Sequence, residues 1–124
     1  MFVIDAVDES KATGGVWYEY EGSEFLIARF DNANMRSRFE QMKKPYKRKI
    51  DRGEGGEVLE DIMLKAMSET VLLDWKDVSD AAGNPVAFDK DSAYRALKGS
   101  KRLRDAITSF ATEEENYFKD ALEK

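Results

Sequence analysis

The feature that most constrains the fold is a run of apolar residues at helical spacing in the middle of the chain. Apolar side chains recur there every three or four residues, which places them on one face of a helix. They are Val58, Leu59, Ile62, Met63, Ala66, Met67 and Val71. Such a stripe has to be covered by other elements, and a chain of 124 residues has the length of one domain. We therefore expect a single domain over residues 1–124, built around this helix.

The segments before this helix have a different character. Residues 16–30 are rich in aromatic and β-branched residues on both sides of a Glu21-Gly22-Ser23 turn, which predicts a β-hairpin. Residues 1–15 are predicted to be an N-terminal arm or a third strand.

The remainder, residues 31–124, is predicted to be helical. Pro45 interrupts it, and the glycine-rich residues 53–56 are interpreted as a hinge. Residues 72–75 are expected to leave the long helix as a loop. The predicted fold class is mostly α: a single domain of about five short helices with a small N-terminal β-hairpin.

The chain has no cysteine and no histidine. This composition excludes disulfide scaffolds, zinc sites built on Cys or His, thiol catalysis and Ser-His-Asp triads. No apolar run approaches the roughly 20 residues that cross a bilayer, and the first residues lack a basic signal-peptide region. The expected location is therefore the cytoplasm.

Basic residues are concentrated in one segment of an otherwise acidic chain. Residues 35–53 contain eight basic and two acidic residues, a balance of +6, whereas the whole chain has a net charge of −5. Clustered Lys and Arg neutralise phosphates, and Phe39 and Tyr46 lie among them. This favours an alternative in which segment 36–52 belongs to a small nucleic-acid-binding or regulatory protein. Acidic flanks oppose that approach, so attraction to an acidic protein is preferred and nucleic acid is not the expected partner.

Acidic residues between 74 and 91 invite a calcium interpretation that does not hold. With Gly83 at the sixth position of an EF-hand loop, only Asp80 remains among the expected early ligands. No pair of carboxylates stands out for acid–base chemistry, so we predict no enzyme, no catalytic residue, no cofactor and no metal. A small enzyme would instead require a deep pocket that holds a carboxyl group of raised pKa.

Apolar and basic side chains remain as candidates for protein contacts. Trp75 is either a hot spot for a partner or an anchor that docks its loop on the core. Met35, Met42, Met63 and Met67 form either an adaptable groove or ordinary core, because Met repacks easily. The predicted protein-interaction residues are Trp75, Phe88, Met63, Met67, Arg36, Lys43 and Lys47.

Two adjoining stretches, ETVLLDWKDV at 69–78 and DAAGNPVAF at 80–88, resemble the tail assembly chaperones of long-tailed bacteriophages. In that family a helix is followed by Trp, a short acidic loop with Gly, an apolar–Pro–apolar turn and a capped helix. Trp75, Gly83, Pro85 and Asp89 occupy these places here. Other segments are similar to the opening and closing parts of the family, so that the resemblance covers most of residues 16–120.

The resemblance implies a non-enzymatic role in phage tail morphogenesis. Such chaperones bind the long, aggregation-prone tape measure protein, keep it soluble and help to recruit subunits of the major tail tube protein. They act in the host cell cytoplasm and leave before the virion is complete. Self-association is a further expectation, because multivalency strengthens weak apolar contacts with an extended helical client.

Overall fold

The computed structural model of the chain describes residues 1–122 and contains short helices around a small sheet. The elements, in order, are α1 (Glu9–Gly14), β1 (Val16–Tyr20), β2 (Ser23–Ile27), α2 (Ala33–Lys43), α3 (Lys47–Asp51), α4 (Gly56–Thr70), β3 (Leu72–Lys76), α5 (Lys90–Gly99) and α6 (Lys101–Thr112). Short 3-10 turns span Lys44–Tyr46, Glu114–Tyr117 and Asp120–Leu122. The last two residues of the predicted 1–124 domain lie outside the described residues.

The sheet has three antiparallel strands in the order β1-β2-β3. The predicted hairpin is present as β1 and β2, with Tyr20 paired to Ser23 across a two-residue turn. Both turn residues have positive φ, 50° at Glu21 and 81° at Gly22, which is the type I′ geometry that matches strand twist. On the other side of β2, Phe25 pairs with Trp75 of β3.

The predicted fold class is wrong in one respect, because the molecule is mixed α/β rather than mostly α with a hairpin. Residues 72–75, predicted to be a loop, belong to β3 (Leu72–Lys76). Its Leu72 and Trp75 are buried, whereas Asp74 and Lys76 are exposed. This strand forms because β2 offers its second edge directly beside the end of α4.

The N-terminal segment also differs from the expectation of an arm or strand. Residues 9–14 form α1, whose first turn is capped by Asp8. The Ser10 hydroxyl donates to the Asp8 carboxylate at 2.6 Å and lowers the pKa of that group. Residues 1–5 lie outside any helix or strand, and the third strand comes from the middle of the chain instead.

Capping residues fix where most helices begin and end. Asn32 caps α2, and α2 ends at Lys43, directly before the 3-10 turn that contains Pro45. Asp89 and Ser92 form a reciprocal capping box at the start of α5. Ser100 caps α6. Residues 52–55 connect α3 to α4, and the role of residues 53–56 as a hinge stays a prediction.

The core lies where one face of the sheet packs on α4, α5 and α6. Its buried members come from every one of these elements and include Phe25, Ile27, Ala66, Met67, Leu72, Trp75, Ala93, Leu97, Ile107 and Ala111. α2 packs on α4 from outside this layer, and α4 lies between α2 and α5. The helix predicted from the apolar stripe is thus the element around which the other helices are arranged.

A buried amide joins three parts of the chain near the start of α2. The Asn32 side chain is in a residue that is 4% exposed, and its Nδ2 donates to the carbonyl oxygens of Arg29 and Thr70 at 2.7 and 3.1 Å. Its Oδ1 accepts from the backbone N–H of Met35 at 3.0 Å. Asn32 therefore caps α2 and also holds the start of α2 against the end of α4.

Replacing Asn32 should destabilise the fold more than the loss of a helix cap alone. Asn32→Ala removes the cap and leaves two carbonyl groups without this donor, so we expect the free energy of unfolding to fall by about 2 to 4 kcal/mol. Urea denaturation measures this difference. Asn34→Ala is the control, because Asn34 is exposed on the same helix and should cost less than about 0.5 kcal/mol. Equal costs for the two variants would contradict the role of Asn32.

Tyr117 closes the core at the C-terminal end of the described residues. It is fully buried, its hydroxyl donates to the carbonyl oxygen of Ile27 at 3.1 Å, and its ring contacts Phe110 edge-on. Burial raises the pKa of the Tyr117 hydroxyl well above its usual range, and the nearby Arg29 charge only partly opposes this effect. The phenol therefore stays protonated in the folded state at pH values where it ionises in the unfolded chain.

This raised pKa gives a dependence on pH with a defined sign. Above about pH 10 the unfolded state binds fewer protons at Tyr117 than the folded state does, so its contribution to the free energy of unfolding falls as pH rises. Tyr117→Phe should cost about 1 kcal/mol at neutral pH and should make the alkaline decline shallower. Denaturation curves across alkaline pH test this, with Tyr46→Phe at an exposed ring as the control. Parallel pH profiles for wild type and Tyr117→Phe would contradict the prediction.

Candidate protein-binding groove

A concave surface with an apolar lining lies between α2, α3, α4 and α6, and we call it the methionine groove. Its volume is about 1030 Å³. The lining residues are Phe30, Phe39, Lys43, Ile50, Leu59, Glu60, Met63, Leu64, Met67, Arg104, Asp105, Thr108 and Ser109. The groove exists because the apolar stripe of α4 is wider than the surface that α5 and the sheet cover.

The floor of the methionine groove is apolar, and its side chains differ in how far they are exposed to solvent. Met67 is 3% exposed and belongs to the core, whereas Met63 and Leu64 are half-buried and face the groove from the same helix. Phe39 contributes from α2 and is also half-buried. A partner side chain that entered here would meet flexible thioethers and an aromatic ring, which adapt to different apolar shapes.

Charges of both signs line the rim. Lys43 lies 2.7 Å from Glu40 and 5.1 Å from the centre of the Phe39 ring. On the opposite wall, Asp105 pairs with Lys101 at 2.6 Å, and Arg104 donates to the carbonyl oxygen of Leu97 at 2.7 Å. The rim is therefore polar while the floor is apolar, as in grooves that receive amphipathic helices.

Trp75 lies outside this groove and is buried, and its assignment as an interaction residue stays a prediction. Trp75 is 6% exposed and meets Phe25 and Phe88 edge-on at ring-centre distances of 6.4 and 5.1 Å. Its indole Nε1 donates to the carbonyl oxygen of Val86 at 2.8 Å. The alternative interpretation, an anchor that docks its loop on the core, describes what the structure shows.

The loop that Trp75 anchors is closed by its own hydrogen bonds. The Asp80 carboxylate accepts from the backbone N–H groups of Ala82 and Asn84 at 3.0 and 2.9 Å. The Val86 N–H donates to the Val78 carbonyl at 2.9 Å. Phe88 follows this loop and is half-buried against Trp75, away from the methionine groove. The acidic residues of this stretch thus shape a turn.

The basic segment is largely neutralised by neighbouring carboxylates. Five of its eight cations, Arg36, Arg38, Lys43, Lys47 and Arg52, lie within 4.0 Å of an acidic side chain. Arg36 and Lys47 are exposed, and their carboxylate partners Asp31 and Asp51 are each 3.7 Å away. Lys44, Arg48 and Lys49 are exposed and form no salt bridge within residues 1–122.

A second, smaller cavity of about 410 Å³ lies on the other side of α4 and is lined by paired charges. Glu69 lies 3.3 Å from both Arg38 and Lys90. The Tyr94 hydroxyl donates to Asp61 and lowers the pKa of that carboxyl, which in turn raises the pKa of Lys65. Asp61 thus does not match the carboxyl of raised pKa that a small enzyme would need. The absence of enzymatic activity stays a prediction, as does the absence of a cofactor or metal.

The structure brings together some of the predicted interaction residues and separates others. Met63, Met67 and Lys43 line the methionine groove, whereas Trp75 and Phe88 lie at the sheet and Arg36 and Lys47 are on the basic surface. Other groove residues, among them Phe30, Ile50 and Leu59, were not among the predicted interaction residues. Leu59 carries a usable signal, because it precedes Met63 by one helical turn on the same face.

One comparison with known proteins gives a match. The family described as "YdaY prophage protein" matches residues 30–124. All the residues that line the methionine groove lie inside this matched region. The curated proteins and the solved structures that were searched contain no match. Within residues 1–122, none of the helices has both the length and the apolar character needed to span a bilayer.

Two substitutions at Trp75 should lower the free energy of unfolding by different amounts. Trp75→Ala leaves a cavity under the loop and should lower the free energy of unfolding by about 3 to 5 kcal/mol. Trp75→Phe keeps an aromatic ring but removes the donor to Val86, so its cost should be smaller, about 1 to 2 kcal/mol. Chemical denaturation measures both values. A cost below about 0.5 kcal/mol for Trp75→Ala would show that the indole does not anchor the loop.

Proposed function

From the premise that the chain belongs to the YdaY prophage protein family, we propose that it is a phage tail assembly chaperone. In this proposal it binds the tape measure protein, keeps it soluble and helps to recruit major tail tube protein subunits. It acts without catalysis in the host cell cytoplasm and is not retained in the mature virion. The phage origin follows from the family, and the chaperone role is suggested by the resemblance of residues 69–88.

The methionine groove is the observation that carries the proposal. A chaperone for a long helical client needs an apolar surface that accepts many different helix faces and releases them again. Recognition of an amphipathic helix by an apolar groove uses side chains spaced three and four residues apart. Met63 and Leu64, beside the ring of Phe39, offer such a surface at the protein exterior.

The charges at the rim support the same type of partner. Lys43 and Arg104 are cationic, whereas Glu60 and Asp105 are anionic, so both signs border the apolar floor. A client helix with mixed charges beside its apolar stripe would meet both signs there, in exchange for the Lys43–Glu40 and Asp105–Lys101 pairs. Rim charges of this kind influence orientation and the rate of association more than affinity.

The alternative, nucleic-acid binding through residues 36–52, has less support. Five of the eight cations in this segment already face carboxylates, which reduces the charge available to phosphates. Retention on DNA that weakens steeply with salt would favour this alternative over the chaperone.

The proposal predicts that a charge in the groove abolishes chaperone activity. Met63→Glu places a carboxylate on the apolar floor, so binding of the tape measure protein should weaken by at least about tenfold, because burying an unpaired charge is unfavourable. Co-expression of the tape measure protein from the same prophage, with its soluble fraction as readout, measures the effect.

The matched control is Met42→Glu, the same substitution at a half-buried methionine that lines the smaller cavity instead. Thermal unfolding by circular dichroism establishes that both variants fold. Loss of client solubility with Met63→Glu but not with Met42→Glu supports the groove. Wild-type client solubility with a folded Met63→Glu variant would contradict it.

A further inference from the structure

We propose that the N-terminal segment Met1–Ile4 of one copy adds to the free edge of β1 in a second copy as a fourth, antiparallel strand. The inference goes beyond the proposed function, because it concerns the edge of β1 on the other side of α6 and does not depend on client binding in the methionine groove. It assigns a partner, a second copy of this chain, to a segment and an edge that otherwise have none within residues 1–122.

The first observation is the exposure of an apolar segment at the N-terminus. Phe2 is 86% exposed and Ile4 is 91% exposed, and Val3 and Met1 are exposed as well. Phe, Val and Ile are residues that favour strands. The chain becomes anchored only after them, where Ala6 accepts from the Lys119 N–H at 2.8 Å and Asp8 donates to Tyr117 at 2.8 Å. A contiguous apolar segment left in water typically marks an interaction site.

The second observation is that β1 is an edge strand. Its one neighbour in the sheet is β2. Residues that flank a two-residue hairpin turn form a hydrogen-bonded pair, and such pairs alternate along the strands. Tyr20 and Ser23 flank the turn, so the backbone groups of Tyr20 and Tyr18 face β2. The N–H and C=O groups of Trp17 and Glu19 therefore face outward and are available to another strand.

The third observation is a groove that runs beside this edge, between β1 and α6. Its volume is about 580 Å³, and Tyr18, Tyr20, Ala106 and Phe110 contribute to its lining. Tyr18 stacks on Phe110 with ring centres 4.5 Å apart, and Tyr20 lies 6.2 Å from Tyr18. Strand addition uses both parts of such a surface, because the edge binds the backbone and the groove receives alternate side chains.

The register follows from these three observations. If Phe2 lies opposite Tyr20, then Ile4 lies opposite Tyr18, and both side chains enter the aromatic groove because opposite residues share a face. Val3 then lies opposite Glu19 on the other face, where their backbone groups pair. This antiparallel direction places Asp5 opposite Trp17, whose ring centre lies 4.3 Å from the Lys76 ammonium group. Opposite charges therefore meet at this end of the added strand.

The contact joins two different surfaces, so each copy can both donate its segment and accept another. Such a heterologous contact closes into a reciprocal dimer where the geometry allows, and otherwise grows into longer assemblies. In both cases the association depends on concentration and on the side chains at positions 2 and 4.

The experiment uses the full chain and measures sedimentation velocity over a dilution series. We expect wild type to self-associate and the double variant Phe2→Asp/Ile4→Asp to lose at least about tenfold in association constant. Val3→Lys is the matched control, because position 3 faces away from the aromatic groove and lies opposite Glu19. It should associate as wild type does. Thermal unfolding checks that each variant folds.

Hydrogen exchange followed by NMR locates the contact. The amides of Trp17 and Glu19 should become protected as the wild-type concentration rises, but not in the double variant. The synthetic peptide Met-Phe-Val-Ile-Asp-Ala, added to the double variant, should restore that protection. Three results would overturn the proposal: a wild type that stays monomeric, protection of these amides that is independent of concentration, or a peptide that perturbs α2 and α4 instead of β1.

Discussion

The arrangement of the helices depends on the hydrogen bonds of one buried amide, that of Asn32. Its donors bind the chain as it leaves the sheet and the chain as it ends α4, while its acceptor starts α2. Because a buried amide is costly when unpaired, these bonds fix the start of α2 relative to α4. The Ala28 N–H adds a bond to Val71 at 2.8 Å, beside the same junction. The methionine groove has a defined shape because α2, one of its walls, begins there and α4, its floor, ends there.

Much of the helical structure could be predicted because its signals are local. Asn32, Asp89 and Ser100 are capping residues whose effect requires only the next three residues, and Pro45 stops α2 by its own geometry. β3 could not be predicted in the same way. Leu72 and Leu73 continue the apolar run of α4, and the strand is stable only because β2 pairs with it. The element that changes the fold class is thus one that depends on a contact distant in sequence.

The candidate site shows the same division between local and distant information. Helical spacing correctly placed Met63 and Met67 on one face, but it could not show that Met67 would be covered and Met63 left at the surface. Trp75 is the opposite case, because residue type allowed either a contact for a partner or an anchor on the core. Its indole instead binds Val86, which lies eleven residues further along the chain. Whether such a side chain is buried depends on how the loop folds back, which cannot be read from residue type.

The loop between Val78 and Val86 offers a position for a fluorescent label. The Asp80 carboxylate and the Trp75 indole hold both ends of this loop, and Gly83 supplies the one positive φ, 86°, that the tight bend requires. The side chains of Ala81 and Ala82 are exposed at its tip. A cysteine introduced at Ala81 would be the chain's sole thiol, so a thiol-reactive fluorophore would label this position alone. Because hydrogen bonds hold the loop to the core, the fluorescence anisotropy of the label would report the rotational diffusion of the whole protein.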